Sequence, residues 1–280
     1  MSLHLMRSDH MRSDQELSVT WFTDRRLDQT SRGGHIPVLF LHGFMGCASQ
    51  WAPIARGLAA PTLGIDLPGH GGSSALASEE PWFEETSVLL DKTLSELDVP
   101  VVDVVGYSMG GRVAMHFSQK FPYRVRKVIL ESSHPGLVSD LERSKRKKSD
   151  AQWAELIQTD WPNVLSEWYK QPVFKSLQKN LALETAVKIA SAQVNNPEKL
   201  AAAITGFSLG RQPQNEPFEH KTLFIAGDQD SKYERIGHEL GQEFPQITLC
   251  VIKQAGHNVH LEQPKAYLAA IARFLELDLS

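Results

Sequence analysis

Short apolar segments that are rich in β-branched residues recur along the chain. Near-continuous apolar character over four to eight residues is typical of strands that are buried on both faces of a parallel sheet. An earlier segment, 16–22, alternates between apolar and polar positions and predicts an antiparallel edge strand. The pattern therefore predicts one edge strand and six buried strands, the latter at IPVLFL (36–41), TLGI (62–65), VVDVVG (101–106), VRKVIL (125–130), TLFIAG (222–227) and ITLCVI (247–252).

Amphipathic segments with helical periodicity lie between these strands. Examples are SVLLDKTLSEL (87–97), GGRVAMHFSQKF (110–121) and a closing segment near 262–276. Strands that alternate with helices form a doubly wound, mostly parallel sheet with right-handed crossovers. The predicted fold class is therefore α/β.

The alternation stops between about 135 and 215, where the chain is polar, helix-like and bears three tryptophans. A helical insertion between two strands predicts a lid over the carboxyl ends of the sheet, where open α/β sheets bind ligands. We therefore expect a core formed by residues 16–134 and 216–280 and a helical cap at 135–215. The tetrapeptide MRSD occurs twice in residues 1–15, and we expect this segment to be a poorly ordered leader.

Composition and charge restrict the classes of function. The 280 residues are 41% hydrophobic and 22% charged, with a formal net charge of −4. This mildly acidic balance argues against a nucleic-acid-binding face, no apolar run is as long as a membrane span, and the N-terminus has no signal-peptide core. The two cysteines, Cys47 and Cys250, predict no disulfide framework. We expect a cytoplasmic protein, a monomer or small homo-oligomer, with no nucleic-acid or membrane partner.

The segment GYSMG (106–110) matches the G-x-S-x-G pattern of a nucleophile elbow, in which a serine lies on a strained strand-to-helix turn. With glycine and serine each near 7% of residues, chance gives roughly 0.1 matches in a chain of this length. The predicted strand before Gly106 and the predicted helix after Gly110 supply the context that the pattern requires. Ser108 is therefore the candidate nucleophile.

A serine hydroxyl needs a base, and the base needs a group that orients it. In this type of sheet the acid follows the serine along the chain and the histidine comes last, each after a late strand. Asp230 and His257 follow the last two predicted strands and fit that order. Asp228, which is closer to its strand end, is the alternative acid. His260 is the alternative base, less favoured because His257 directly follows the loop glycine.

An oxyanion hole needs two backbone N–H groups aimed at a developing negative oxygen. Met109, the residue after the serine, predicts one donor. The loop LHGFMG (41–46) follows the first parallel strand and predicts Phe44 as the other, although His42 and its glycine could also form a plain turn. A second glycine-rich loop, DLPGHGGS (66–73), has neither the P-loop ending nor the Rossmann spacing, and predicts a loop beside the site.

Together these features resemble the α/β-hydrolase superfamily across roughly residues 36–275. Because that fold hosts many chemistries, further motifs must indicate the activity. Such motifs make the chain similar to the 2-succinyl-6-hydroxy-2,4-cyclohexadiene-1-carboxylate (SHCHC) synthase family of menaquinone biosynthesis. They are GYSMGGRVAM (106–115), ESSHPGL (131–137), RSKRKKSDAQW (143–153), EWYKQPVF (167–174), GDQDSKY (227–233) and AGHNVHLEQP (255–264).

The resemblance implies a carbon–oxygen lyase and not a hydrolase. In that family the triad abstracts a proton alpha to the succinyl ketone of an enolpyruvyl cyclohexene precursor, and pyruvate is then expelled from the ring. An oxyanion hole suits this chemistry because charge builds on the ketone oxygen, and Asp230 would hold the His257 tautomer. Whether His257 or a Ser108 alkoxide takes the proton stays open. No metal or organic cofactor is implied, and no metal-ligand spacing is visible.

The same resemblance implies a small-molecule polycarboxylate substrate with three carboxylates, and hence a basic pocket. Arg112 and Arg146 match the family's basic positions, and arginine pairs bidentately with carboxylates. Tyr107 and Trp168 match pocket-lining aromatics.

Each position has a structural alternative. The basic run 145–148 could be a solvated helix face, Arg112 could form a structural ion pair, and Trp168 could be cap core. The cap segment 187–200 lacks an expected arginine, for which Lys188 either substitutes or points away.

Three other functions are compatible with the residues to different degrees. An ester or thioester hydrolase would use the same triad, and only access of a deacylating water would distinguish it. A non-catalytic binding protein of the same fold is less compatible, because a binder does not need an intact Ser–Asp–His order. A nucleic-acid module built on KRKK (145–148) is the least compatible, since four basic residues in an acidic chain give a small footprint.

Overall fold

The structure is a computed structural model that describes residues 16–23, 36–77, 81–193, 196–213 and 219–280. The predicted leader at 1–15 lies outside the described residues. The predicted boundary between cap and core at 215/216 lies outside them as well.

Seven strands form one sheet in the order β1-β3-β2-β4-β5-β6-β7, in which β1 is antiparallel to β3 and all other neighbours are parallel. The α/β fold class, the antiparallel edge strand and five of the six buried strands are confirmed, whereas the last strand (247–252) forms the other edge of the sheet and is only partly buried. Observed strand ends differ from the six predicted apolar segments by at most two residues. The strands are β1 Val19–Trp21, β2 Val38–Leu41, β3 Thr62–Ile65, β4 Val102–Tyr107, β5 Val125–Glu131, β6 Lys221–Gly227 and β7 Ile247–Ile252.

Helices cover both faces of the sheet. The amphipathic segments predicted at 87–97, 110–121 and near 262–276 correspond to helices Trp82–Glu96, Met109–Lys120 and Pro264–Leu275, the first of which begins five residues earlier than predicted. None of the helices in the described ranges combines the length and apolar character needed to cross a membrane. The α-helices are α1 Ala52–Ala55, α2 Trp82–Glu96, α3 Met109–Lys120, α4 Asp140–Thr159, α5 Trp161–Trp168, α6 Ala182–Ser191, α7 Pro197–Gly206, α8 Ser231–Glu243, α9 Val259–Glu262 and α10 Pro264–Leu275.

The two faces of the sheet bury separate apolar clusters. In β2, Leu39 and Leu41 belong to the cluster covered by α2, α3 and α8, whereas Val38 and Phe40 belong to the cluster covered by α1 and α10. Successive side chains of a strand point to opposite faces, so a strand covered on both sides must be apolar throughout. This explains why the central strands lack the polar alternation that β1 shows.

Helices α4 to α7 lie between β5 and β6, and the described residues of this segment contain no strand. These helices bury an apolar cluster of their own. Met45, from the loop after β2, also belongs to that cluster. Ser139 accepts a hydrogen bond from Glu142 N–H at the start of α4, and Asp160 accepts one from Asn163 N–H at the start of α5. Such caps satisfy donors that a helix start leaves unpaired.

The strand register places the carboxyl ends of five parallel strands at one edge. Gly106 of β4 pairs with Leu41 of β2 and Leu130 of β5, and Gly227 of β6 pairs with Ile252 of β7. Loops that leave these ends therefore meet on the same side of the molecule, although they are far apart in sequence.

We expect Gly206→Ala to lower the free energy of unfolding by about 1–3 kcal/mol, the usual cost of overpacking. A Cβ atom at this buried glycine of α7 would lie 2.1 Å from the buried indole of Trp82. Gly241→Ala in α8 is the matched control, because its Cβ would meet no atom closer than 3.6 Å. The control should gain up to about 1 kcal/mol in helix propensity. Urea unfolding measures both, and equal stability of the two variants would contradict this packing account.

Candidate active site

The turn after β4 holds Ser108 in a strained backbone conformation, with φ of 50° and ψ of −107°. Its N–H donates a 2.8 Å hydrogen bond to the carbonyl of Glu131, the last residue of β5. A Cβ at Gly106 would lie 2.5 Å from Cα of Gly111, and one at Gly110 would lie 2.4 Å from the carbonyl oxygen of Leu41. The chain can bend this tightly between strand and helix only because glycine occupies these positions.

Ser108, His257 and Asp230 meet at the carboxyl edge of the sheet. His257 Nδ1 lies 2.9 Å from Asp230 Oδ2, and His257 Nε2 lies 3.2 Å from Ser108 Oγ. His257 and Asp230 are buried, and the other carboxylate oxygen of Asp230 accepts a hydrogen bond from Tyr233 N–H. With Nδ1–H donating to Asp230, Nε2 is left to accept the serine proton. The arrangement can generate a nucleophile or a base, and the catalytic roles themselves stay predictions.

The two alternative triad residues occupy other positions. Asp228 lies 3.8 Å from Lys253 Nζ, and no hydrogen bond joins it to His257 within the described chain. His260 directs Nδ1 at the carboxylate of Glu131, with both oxygens at 2.9 Å. Neither residue contacts Ser108 in the hydrogen bonds of the described ranges.

Two buried histidines hold the loop after β2. His42 donates from Nδ1 to Gly43 O at 2.8 Å and accepts from Leu67 N–H at Nε2, while His70 Nε2 accepts from Met45 N–H at 3.3 Å. Burial lowers the pKa of His42 below its ordinary value and lowers the pKa of His70 further. Both rings therefore stay neutral near pH 7, which leaves their acceptor nitrogens available to the loop.

The predicted oxyanion donors, Phe44 and Met109, lie on either side of the serine turn. Within the part of the chain that the structure describes, neither N–H has a protein acceptor. Met109 is the first residue of α3, so its N–H belongs to the positive end of the helix dipole. Two uncommitted donors beside a candidate nucleophile are what an oxyanion hole requires, and this role stays a prediction.

A cavity beside the turn contains three of the predicted residues, Phe44, Tyr107 and Trp168. The Trp168 ring lies 5.0 Å from that of Phe44, and the Tyr107 hydroxyl donates to Asn258 Oδ1 at 2.8 Å. Burial raises the pKa of Tyr107 well above its ordinary value. The cavity is also lined by Gly43, Met45, Gly46, Gln50, Tyr169, Phe174, Ala186, Ile189 and Leu261.

The predicted basic residues, Arg112 and Arg146, are not part of that cavity lining. Arg112 is buried, donates from Nη1 to Phe207 O at 2.7 Å and lies 5.6 Å from the Phe83 ring centre. No carboxylate of the described residues forms an ion pair with it, so the structural ion pair considered from the sequence is not present there.

Arg146 differs from its basic neighbours. Its Nε lies 2.8 and 2.9 Å from the two carboxylate oxygens of the buried Asp150, and its side chain is 39% exposed. The structure gives its two terminal nitrogens no partner among the described residues. The side chains of its neighbours Lys145, Lys147 and Lys148 are exposed. These three lysines fit the solvated helix face that the sequence offered as an alternative.

Lys188 does not replace the missing cap arginine. It is exposed on α6, whereas Ala186 and Ile189 of that helix line the cavity. Positions three apart share a helix face, and Lys188 lies on a different one.

The described residues contain no group of three or more His, Cys, Asp or Glu side chains that could hold a metal ion. Sequence reasoning also missed two nearby polar residues, Glu131 and Gln50. The position of Glu131 at the carboxyl end of a buried strand is the one signal that could have identified it.

Comparisons with known proteins show the family to which the chain belongs. The family model for the alpha/beta hydrolase fold matches residues 36–264. A curated 2-succinyl-6-hydroxy-2,4-cyclohexadiene-1-carboxylate synthase from Enterobacter sp. (strain 638) is 37% identical over 248 residues, which cover 86% of this chain and 92% of that protein. A protein of the same name from Klebsiella pneumoniae is 34% identical, over 86% of this chain and 94% of its own length.

Solved structures show the same relationship. MenH from S. aureus superposes with a TM-score of 0.79 and 25% identity, covering 93% of this chain and 98% of that one. A thermophilic esterase from Thermogutta terrifontis has a TM-score of 0.77 at 23% identity, covering 93% of each chain, and shares the fold. The chain therefore belongs to the SHCHC synthase family of the α/β-hydrolase fold.

Proposed function

We propose that this chain is an SHCHC synthase of menaquinone biosynthesis, a lyase that eliminates pyruvate from an enolpyruvyl cyclohexene precursor. The observation that carries the proposal is the Ser108–His257–Asp230 arrangement beside two uncommitted N–H groups. It stands in a chain whose curated relatives bear that name.

The mechanism begins with proton removal. His257, bonded to Ser108 at Nε2, supplies the base, and Asp230 stabilises the imidazolium that forms. As the C–H bond alpha to the ketone breaks, its electrons move toward the ketone oxygen, which Phe44 N–H and Met109 N–H would hold. Those electrons then return to form the new C=C bond of the ring while the C–O bond breaks and pyruvate leaves as its enolate, which takes up a proton.

The helices at 135–215 act in this proposal as a cap on a core of residues 16–134 and 216–280. Support comes from the cavity, whose lining combines Trp168, Phe174 and Ile189 of the helical segment with Phe44 of the core. A cap that closes over the site would exclude water and so favour elimination over hydrolysis.

Three positively charged residues, all close enough to lower the pKa of His134, form what we term the cationic group: Arg112, Arg146 and Lys232. Burial, with the charge of Arg146, lowers the pKa of Arg112 to about 10, and the same two causes lower the pKa of Lys232. Positive charges that disfavour one another in the free protein favour an anionic ligand. The cationic group therefore supports a substrate with several carboxylates.

We expect the protein to release pyruvate from the enolpyruvyl precursor and to hydrolyse acyl-CoA esters negligibly. Ser108→Ala should lower turnover by several orders of magnitude, because members of a triad act as a unit. A coupled pyruvate assay and a free-thiol assay measure the two reactions, and thermal unfolding checks that the variant stays folded. Rapid acyl-CoA hydrolysis without pyruvate release would instead assign the protein as a thioesterase.

We expect Arg146→Ala to lower kcat/KM by roughly 10- to 150-fold, the loss of a charge-assisted pair worth about 1.5–3 kcal/mol. Lysine at this position should recover only part of the loss, because it lacks the bidentate fork. Lys147→Ala and Lys148→Ala are the matched controls and should stay near wild type, since both side chains are exposed.

Arg146→Ala also leaves the buried carboxylate of Asp150 without its ion-pair partner, which destabilises the fold. The double variant Arg146→Ala, Asp150→Asn removes that charge and should keep the kinetic loss. Recovery of kcat/KM in the double variant would show that Arg146 acts only through folding.

The stability of the protein should fall in acid through His134. Burial, with Lys232, Arg112 and Arg146 nearby, lowers the pKa of His134 to about 4. Below pH 6.5 the unfolded chain binds a proton that the folded one does not accept until about pH 4, so stability is lost as pH falls through that window. His134→Asn, which keeps an acceptor for Gly136 N–H, should lose about 1–2 kcal/mol less than wild type between pH 7 and pH 4.5. Urea unfolding at a series of pH values measures this loss. Equal losses of unfolding free energy in the wild type and in His134→Asn would contradict the prediction.

A further inference from the structure

A second histidine–carboxylate pair, His260 and Glu131, lies buried beside the triad. His260 donates its backbone N–H to Glu131 Oε1 at 3.1 Å and directs Nδ1 at both carboxylate oxygens at 2.9 Å. The side chains are 1% and 0% exposed. The His260 ring packs 4.9 Å from the ring of Tyr107, the residue before the serine. Burying two titratable groups is costly unless their hydrogen bonds are satisfied. The proposed mechanism uses neither residue, so the pair needs another explanation.

The pair continues to the loop after β2 through Gln50. Gln50 Nε2 lies 3.2 Å from His260 Nε2, and Gln50 Oε1 accepts from Cys47 N–H at 3.3 Å. Because Gln50 Oε1 accepts the hydrogen bond from Cys47 N–H, the amide NH₂ group of Gln50 faces His260. His260 Nε2 therefore accepts a hydrogen bond from that NH₂ group. The ring proton therefore lies on Nδ1, where it is donated to Glu131. Glu131, His260 and Gln50 thus form a continuous chain of hydrogen bonds.

The two ends of this hydrogen-bond chain lie at the two sides of the predicted oxyanion hole. At one end the carbonyl of Glu131 accepts the Ser108 N–H at 2.8 Å, next to Met109. At the other end Cys47 directly follows Gly46, whose N–H closes a turn onto Gly43 O around Phe44. Gln50 and Glu131, which are 81 positions apart in sequence, are therefore linked through the side chain of His260.

We propose that His260 and Gln50 are positioning residues that hold the Phe44 N–H at the correct distance from the serine turn. The inference rests on the proposed function, since it assigns a role in charge stabilisation. The Phe44 loop is held on its other side by His42 and His70. Asp66 Oδ1 accepts from Ala48 N–H, the residue after Cys47, at 2.6 Å. Without Gln50, Cys47 N–H loses its own side-chain acceptor, and in this proposal the donor between Cys47 and His42 is displaced.

Displacement of an oxyanion donor has a specific kinetic signature. The donor binds charge that exists only in the transition state, so its loss lowers kcat and leaves KM nearly unchanged. Removing a donor costs about 10²–10³-fold in kcat, and misplacing a reacting geometry by about 1 Å costs up to about 10²-fold. A purely structural residue would instead lower the unfolding temperature without changing the kcat of the folded enzyme.

The test compares Gln50→Ala and His260→Asn with a packing control. Asparagine can still reach Glu131 from position 260 but is too short to reach Gln50, so this variant interrupts the hydrogen-bond chain at one link. We expect kcat to fall by about 10- to 100-fold in both variants, with KM within about threefold of wild type. The control is Ile54→Ala in α1, which removes buried apolar contact four positions after Gln50 in sequence and should lower stability while kcat stays within about twofold.

A second readout does not depend on the natural reaction. A fluorophosphonate labels an activated serine: Ser108 Oγ bonds to phosphorus, the P–F bond breaks, fluoride leaves and the hydroxyl proton passes to His257. The phosphoryl oxygen gains charge in the transition state and would use the same two N–H donors. Labelling of Gln50→Ala and His260→Asn should slow by about 10-fold or more, while Ile54→Ala labels at the wild-type rate.

Labelling and kcat within twofold of wild type in Gln50→Ala and His260→Asn would overturn the inference. So would an equal loss in Ile54→Ala, or a wild-type protein that the phosphonate does not label. A wild type that is labelled but releases no pyruvate would refute the proposed lyase function, and the labelling rates of the variants would still decide the role of His260 and Gln50.

Discussion

The strained turn at Ser108 is the constraint on which the site depends. A residue at φ of 50° costs on the order of 1–3 kcal/mol and persists only where its surroundings hold it. Here the hydrogen bond to the Glu131 carbonyl holds the turn from the adjacent strand, and two glycines let the neighbouring backbone approach. The strain points the serine hydroxyl out of the sheet edge toward His257, and it orients the first N–H groups of α3 toward the same space.

Buried and half-buried polar side chains hold the loops around the serine turn. His42 and His70 hold the Phe44 loop from one side, and the Glu131–His260–Gln50 chain reaches it from the other. Burial keeps His42 and His70 neutral, so each has one donor and one acceptor nitrogen near pH 7. Hydrogen bonds of this kind are directional and costly to break, which suits loops that must hold a donor to within fractions of an ångström.

The electrostatics of the site divide it into two regions. Beside the serine turn lies a cavity whose lining includes five aromatic side chains and the polar side chains of Gln50 and Asn258. The cationic group brings positive charge close to Asp230, and Arg112 has no carboxylate ion-pair partner among the described residues. An imbalance of this kind costs stability in the free protein. In the proposed function the balancing charge arrives with the substrate, which is why we propose a polycarboxylate.

The sequence by itself determined the sheet and the place of the site. Strand and elbow patterns are local, and parallel strands bring their carboxyl ends to one edge, so the chain order of Ser108, Asp230 and His257 sufficed to predict that they meet. Only the tertiary structure paired Arg146 with the buried Asp150, turned Lys188 away from the cavity, and paired His260 with Glu131. Those outcomes depend on how each helix is rotated about its axis and on contacts between residues far apart in sequence. Two basic residues that are neighbours in the chain can therefore face different environments.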